Sequence, residues 1–218
     1  MIYLVTGNVP LVEYSEYKII SVEESLKIMS SWNMYQYDSE TTGRDCHVND
    51  ILCVQFGDID GTTQIVVDTT TINILKYKNF IEENYMVGQN LKFDLQFLFN
   101  YGIVPRKVYD TMIVEQVLYL GYPYNLISPE FYKENNFDFP YRIVHSKDGE
   151  FLGWELSFSL WALAYKYIGI DIDKSIRGEI IWRGLDTNVI KYAAGDVTHL
   201  GKIMKRQLHD CKKKDCIV

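Results

Sequence analysis

Hydrophobic and polar positions change period several times along this chain, and the changes mark its elements. Residues 1–5 and 17–20 read as two short strands. Ser21-Val22-Glu23-Glu24 is a capping box, in which the serine accepts from a helical N–H and the glutamate reaches back, and it opens a helix to about Trp32. A strand follows over 35–43. Ile51–Gly57 and Thr63–Asp68 are β-rich runs with Asp60-Gly61 between them as a hairpin signal. Next come a helix from about Ile72 to Tyr85, a short strand at Met86-Val87-Gly88, a helix over 91–102, an extended segment at Val108-Tyr109 and a helix over 111–121. Three antiparallel strands followed by alternating helix and strand imply an α/β fold, a mixed sheet flanked by helices.

Residues 122–157 break that rhythm. They hold three of the five prolines and many aromatics, including Tyr122, Tyr124, Phe131, Tyr132, Phe137, Phe139, Tyr141, Phe151 and Trp154. Lys147-Asp148-Gly149 between Tyr141–His145 and Glu150–Leu156 predicts a β-hairpin. Such a stretch is expected to be an insertion with its own small structure, its aromatics packing on the host or stacking on bases. A helix is expected over 160–167, and a last one from about Thr187 towards Lys212-Lys213-Lys214.

At 218 residues, 47% hydrophobic and 23% charged, the chain suits one domain, 1–218, carrying the insertion at about 122–157. No apolar run approaches a membrane span, so no membrane partner is expected. Cys46, Cys53, Cys211 and Cys216 show neither a zinc spacing nor a disulfide framework, and a reduced, cytoplasmic chain is expected. His47, His145, His199 and His209 make no ligand spacing with them. A net charge of −7 disfavours a broad nucleic-acid-coating surface, although bound metals and a local basic rim can offset clustered acids. Lys202, Lys205, Arg206 and Lys212–Lys214 read as a solvated basic tail or a backbone-tracking patch.

The candidate chemistry is acidic. In Tyr35-Gln36-Tyr37-Asp38-Ser39-Glu40-Thr41-Thr42-Gly43, side chains two apart share a strand face, so Asp38 and Glu40 point the same way. Two such carboxylates are a solvated acidic edge or a cation site, because burying both without a cation is costly. In Gly88-Gln89-Asn90-Leu91-Lys92-Phe93-Asp94, Asn90 and Asp94 lie four apart near a helix start and share a face. Tyr192 and Asp196 repeat that spacing in Tyr192-Ala193-Ala194-Gly195-Asp196, where Gly195 inside a helix hints at a close approach to the backbone.

Taken in order, Asp38-x-Glu40, Asn90-x3-Asp94 with Phe93 before the aspartate, and Tyr192-x3-Asp196 resemble the three motifs of the DEDD superfamily of 3′–5′ exonucleases, in its tyrosine-type subclass. Tyr109-Asp110-Thr111-Met112 resembles the family's Asp-Thr segment. Leu163-Ala164-Tyr165-Lys166-Tyr167-Ile168-Gly169 with Asp173-Lys174-Ser175 resembles a block of ribonuclease D and of the proofreading domains of family A DNA polymerases. The resemblance covers roughly residues 20–121 and 158–208. Arg44 stands where proofreading relatives place an apolar wedge, and the stretch 122–157 has no counterpart.

The resemblance implies a ribonuclease-H-like sheet of about five core strands and hydrolysis assisted by two Mg²⁺ or Mn²⁺ ions about 3.5–4 Å apart. By it, Asp38 would bridge both ions, Glu40 and Asp196 would complete the site of the attacking water, and Asp94 would support the second ion through water. Tyr192 would orient the attacking water, Asn90 and the backbone around Thr41–Thr42 would hold the terminal nucleotide, and Lys174 would contact a phosphate. The implied substrate is the 3′ end of single-stranded DNA, in proofreading or end trimming, with a DNA polymerase acting in trans as a partner. The alternatives are RNA 3′ ends, as for ribonuclease D, and a non-catalytic polymerase partner. A helical RNA-binding region such as follows the nuclease in ribonuclease D is not expected after the last predicted helix, which favours DNA as the expected substrate. Four converging acids argue against the non-catalytic role.

Overall fold

The capping box at Ser21 forms as expected: the Ser21 hydroxyl accepts from Glu24 N at 3.1 Å, the Glu24 carboxylate accepts from Ser21 N at 2.9 Å, and helix α1 runs Val22–Met29. A computed structural model describes residues 1–8, 16–120, 127–128, 141–172 and 180–214. Its strands are β1 (Ile2–Val5), β2 (Lys18–Ile19), β3 (Met34–Thr41), β4 (Ile51–Asp58), β5 (Gln64–Asp68), β6 (Tyr85–Gly88), β7 (Lys107–Asp110), β8 (Tyr141–His145) and β9 (Phe151–Leu156). Two compact units divide the chain, Met1–Thr111 with Asp173–Met204, and Met112–Ile172 with Lys205–Val218.

The first unit holds a seven-stranded mixed sheet in the order β2-β1-β5-β4-β3-β6-β7. β3, β4 and β5 are antiparallel neighbours, and β6 and β7 add in parallel beyond β3. The count exceeds the expected five because β1 joins β5 in parallel and β2 joins β1, extending the far edge. β3 therefore lies inside the sheet with both edges paired. Tyr35 and Tyr37 on one face of β3 pack against Phe56 of β4, and Phe56 stacks on Tyr77 with ring centroids 5.4 Å apart. Helix α3 (Leu91–Asn100) adds Leu91, Phe97 and Leu98 to this core. On the other face, Cys53 and Val66 pack with Ile190, Ala193 and Ala194 of the late helix Thr187–Asp196.

Two helices differ from the pattern. The predicted helix over 72–85 forms as a 3-10 turn, Ile74–Tyr77, opened by the Asn73 side chain accepting from Leu75 N, and then α2 (Lys78–Glu83). The predicted final helix is broken in two, Thr187–Asp196 and Leu200–Lys213. At the break, the Thr198 hydroxyl donates to Ala194 O at 2.8 Å, and the Gly201 N–H donates sideways to Gln36 Oε1 at 3.0 Å. The broken turn presses on the β4–β5 hairpin: a Cβ at Gly57 would run into the Val197 carbonyl, and one at Gly201 into that of Ile59. The close approach expected at Gly195 is absent, since a Cβ there meets nothing within 4 Å.

In the second unit the predicted hairpin forms between β8 and β9, with a register shift between Val144 and His145. Half-buried Trp154 packs edge-on to Phe151, its ring centroid 5.0 Å away, and bridges through its backbone to Ile127. Phe139 lies outside the described residues. Helices α4 (Thr111–Leu118) and α5 (Leu160–Ile168) bring together the fully buried Glu115 and the half-buried Lys166 at 2.9 Å. Tyr167 donates to the other Glu115 oxygen at 2.8 Å and Gln207 to the same one at 2.7 Å, while Lys166 also reaches Tyr119 OH at 2.7 Å. Each buried charge is thereby both paired and hydrogen-bonded, as a low-dielectric setting requires. The short helix Ile180–Arg183 is α6, and the two pieces of the broken final helix are α7 and α8. No described helix is long and apolar enough to cross a membrane.

Candidate active site

The alternation of β3 decides which side chains meet. Asp38 and Glu40 take one face, and across β4 they stand opposite Gln55 and Cys53. This is the face on which α7 packs, so Asp196 at the end of α7 comes to the acid pair. One carboxylate oxygen from each of Asp38, Glu40 and Asp196 lies within 4.8 Å of the other two. Asp38 and Glu40 are half-buried and Asp196 is buried, at 5% exposure. Burial, then the charges of Glu40 and Asp38, push the Cys53 thiol well above its usual range, so this neighbour stays neutral. α7 starts firmly: the Asp186 side chain caps it by accepting from Val189 N at 2.9 Å. Half-buried Tyr192 sits one turn before Asp196 on the same helix.

Three like charges this close repel one another, and partial burial weakens the screening that water would give. All the donors are carboxylate oxygens, the ligand set preferred by hard divalent cations. The trio therefore fits Mg²⁺ or Mn²⁺ in donor type and spacing.

Asp94 stands outside this trio. It is 3% exposed on α3, and its Oδ1 accepts from Ser39 Oγ at 2.5 Å. Ser39 alternates with Asp38 and Glu40, so Asp94 approaches β3 from the face that α3 covers. Burial pushes its carboxyl up to about 7, against the opposing pull of the Ser39 hydrogen bond, and the Asp110 charge adds to the rise. Asn90 is exposed just before α3 in a left-handed conformation, φ 58° and ψ 44°. Thr41 and Thr42 lie where β3 leaves the sheet; the Thr41 hydroxyl donates to Gly43 O at 2.6 Å, and the Thr42 N–H donates to Asp50 O at 2.9 Å. Lys174 lies outside the described residues.

Among the described residues one further group offers possible metal ligands, Asp45, Cys46 and His47, where no ligand spacing between histidines and cysteines is expected from the sequence. These are consecutive residues on a turn, and the Asp45 carboxylate already accepts from His47 N at 3.0 Å.

Sequence reasoning missed the residues that hold the acids in place. Gln36, on the acid face of β3, donates to Asp58 O at 2.5 Å and accepts from Gly201 N, which ties the turn after Asp196 to β3. Ser39 holds Asp94. Alternation gives each its face, but nothing in spacing reveals partners 165 and 55 residues away.

A family model described as 3'-5' exonuclease matches residues 18–208. DNA polymerase I of Aquifex aeolicus is 38% identical over 109 residues, which span 47% of this chain and 18% of that protein. Brucella melitensis NrnC, solved with bound Mg²⁺ and bound to pGG, superposes with TM-scores of 0.60 and 0.61 at 16% identity, over 98% of this chain and 83% of NrnC. Escherichia coli RNase D, an exoribonuclease involved in structured RNA processing, superposes with a TM-score of 0.63 at 16% identity, over 89% of this chain and 44% of that one. With three ordered motifs carried on a mixed α/β sheet and a family match over most of its length, the chain belongs to the 3'-5' exonuclease family of the DEDD superfamily.

Proposed function

We propose that this hydrolase removes nucleotides from the 3′ end of single-stranded DNA, in proofreading or end trimming, at a divalent-cation site built by Asp38, Glu40 and Asp196. The observation that carries the reading is the carboxylate trio within 4.8 Å where β3 meets the end of α7. DNA is favoured by the sequence relation to a DNA polymerase I, 38% identical over 109 residues. RNA 3′ ends are the second reading, supported by the structural likeness to RNase D and to NrnC bound to pGG. A polymerase acting in trans is the partner that the first reading implies.

Hydrolysis forms a bond from the attacking water oxygen to phosphorus and breaks the bond to the 3′ oxygen, releasing a nucleoside 5′-monophosphate and a strand one residue shorter. Two divalent cations held there supply charge neutralisation, water activation and help for the leaving oxygen. Asp38, two residues before Glu40 and on the same face of β3, would help to hold both ions, and Glu40 and Asp196 would complete the site of the attacking water. Asp94, held by Ser39 on the other face of β3, would support the second ion only indirectly, through water. Asn90 and the backbone at Thr41–Thr42 hold the terminal nucleotide, and Lys174 is assigned to a phosphate. Tyr192 orients the water through its hydroxyl. Tyrosine titrates near 10 and histidine near 6.5 in model peptides, so a phenol suits holding the water better than taking its proton.

Three outcomes follow. Asp38→Ala and Asp196→Ala should each abolish most Mg²⁺-dependent release of mononucleotides from a labelled single strand while the protein stays folded. Wild-type turnover by Asp38→Ala, or full activity in excess EDTA, contradicts the assignment; running DNA and RNA strands side by side decides between the two substrates.

Tyr192→Phe should cost less than Asp38→Ala, about 10- to 100-fold in rate, the worth of one oriented hydrogen bond. Both wild type and Tyr192→Phe should keep speeding up from pH 7 to 9 at saturating Mg²⁺. Loss of that rise in the phenylalanine variant would make Tyr192 the base instead.

Asp94 sets a pH dependence of stability in the metal-free protein. Its folded pKa, about 7, is raised above the unfolded value near 4, so between these the native state holds a proton that the unfolded chain has lost. Stability from this group therefore falls as pH rises through that window, by about 1.4 kcal/mol per pH unit, and levels off above 7. Urea unfolding in EDTA at pH 5, 6 and 7 should show this slope in wild type and a flatter one in Asp94→Asn. Parallel slopes in the two proteins would exclude Asp94 as its source.

A further inference from the structure

The turn that carries Asn90 is held from outside. A helix start leaves several N–H groups without helical partners, and the residue before the helix ordinarily satisfies one with its own side chain. Asn90 occupies that place before α3, yet its side chain makes no capping bond. Its backbone is left-handed, alone in this among the described residues other than glycine. Such a conformation is tolerated by asparagine but persists only where the surroundings impose it.

The imposing group is Asp110, at the end of β7. Its Oδ1 accepts from Asn90 N at 3.0 Å and its Oδ2 from Leu91 N at 2.8 Å. A carboxylate gripping two consecutive N–H groups at a helix start is charge-assisted on both bonds and is favoured by the helix dipole. Thr111 adds a second hold: its hydroxyl lies 3.0 Å from Gly88 O and 2.5 Å from Gln89 Oε1. The β6–β7 pairing sets Gly88 against Asp110, so the grip is in register with the sheet. An external cap frees the Asn90 amide from the work its position would ordinarily demand, and Asn90 is exposed. Asp94 on the same helix has its own anchor in Ser39.

We propose that Asp110 is a positioning residue for substrate: its two hydrogen bonds hold Asn90 in the left-handed turn that presents the Asn90 amide to the terminal nucleotide. The role rests on the exonuclease reading above. Asp110 touches Asn90 and Leu91 directly, whereas Asp94 is anchored by Ser39 and feels Asp110 only through space, so the loss of Asp110 falls on substrate binding more than on the chemical step. A mere helix cap would lower stability and leave binding by the folded protein unchanged.

The test is steady-state hydrolysis of a labelled single strand at saturating Mg²⁺, below the melting temperature of every variant, for wild type, Asp110→Ala, Asp110→Asn, Asn90→Ala and the double variant Asn90→Ala/Asp110→Ala. Asp110→Ala should raise KM about 10- to 100-fold with kcat changed less, since two hydrogen bonds to a charged group are lost. Asp110→Asn keeps one acceptor and should fall between it and wild type. In the Asn90→Ala background, Asp110→Ala should have little further effect on KM, because both changes remove one contact. An active wild type with unchanged KM in Asp110→Ala and Asp110→Asn, or full additivity with Asn90→Ala, overturns the positioning role alone. A wild type unable to hydrolyse single strands overturns the exonuclease reading and this role with it.

Discussion

Repulsion among Asp38, Glu40 and Asp196 is the constraint on which the rest of the first unit depends. Their carboxylates come within 4.8 Å of one another, with Asp196 buried, a costly arrangement without a compensating cation. Holding it needs rigid support. Asp38 and Glu40 stand on a strand paired on both edges, where alternation leaves them no other face. Asp196 ends a helix whose apolar side is buried against Cys53 and Val66, and whose following turn is locked by Gln36 and pressed on Gly57. Packing on both sides of β3 thus offsets a local electrostatic cost.

The same strand divides the labour between its faces. Even-numbered residues 36, 38 and 40 serve the acid site and the turn after α7. Odd-numbered residues 35, 37 and 39 serve the aromatic core and the buried Asp94. Burial of Asp94 raises its carboxyl, and Ser39 partly restores the ionised form. A cation beyond the strand would act in the same direction as Ser39.

Much of this was legible in the sequence, for physical reasons specific to each residue. A period of two put Asp38 and Glu40 on one face, and a spacing of four put Tyr192 beside Asp196; both are local rules that the backbone obeys wherever the element forms. The capping box at Ser21 and the turn at Asp60-Gly61 are local in the same sense. What escaped were contacts made across the sheet: Ser39 to Asp94, Gln36 to Gly201 and Asp110 to the start of α3. The break between α7 and α8 escaped too, because helical periodicity continues through residues 197–199 while Thr198 back-bonds to Ala194 and Gly201 bonds sideways to the strand. The glycine that looked special in the sequence, Gly195, faces open space; at the break the close contacts are made by Gly57 and Gly61 of the β4–β5 hairpin and by Gly201, at the start of the next helix.

If the acid cluster is a cation site, metal should stabilise the wild-type protein specifically through these carboxylates. The direct measurement is the thermal midpoint of wild type and Asp38→Asn across a Mg²⁺ titration at constant ionic strength, so that general screening is held fixed. Without metal, Asp38→Asn should melt at or above wild type, because one repelling charge is gone. Saturating Mg²⁺ should raise the wild-type midpoint by several degrees and leave Asp38→Asn nearly unmoved. Equal stabilisation of both proteins, or none in either, would contradict the account.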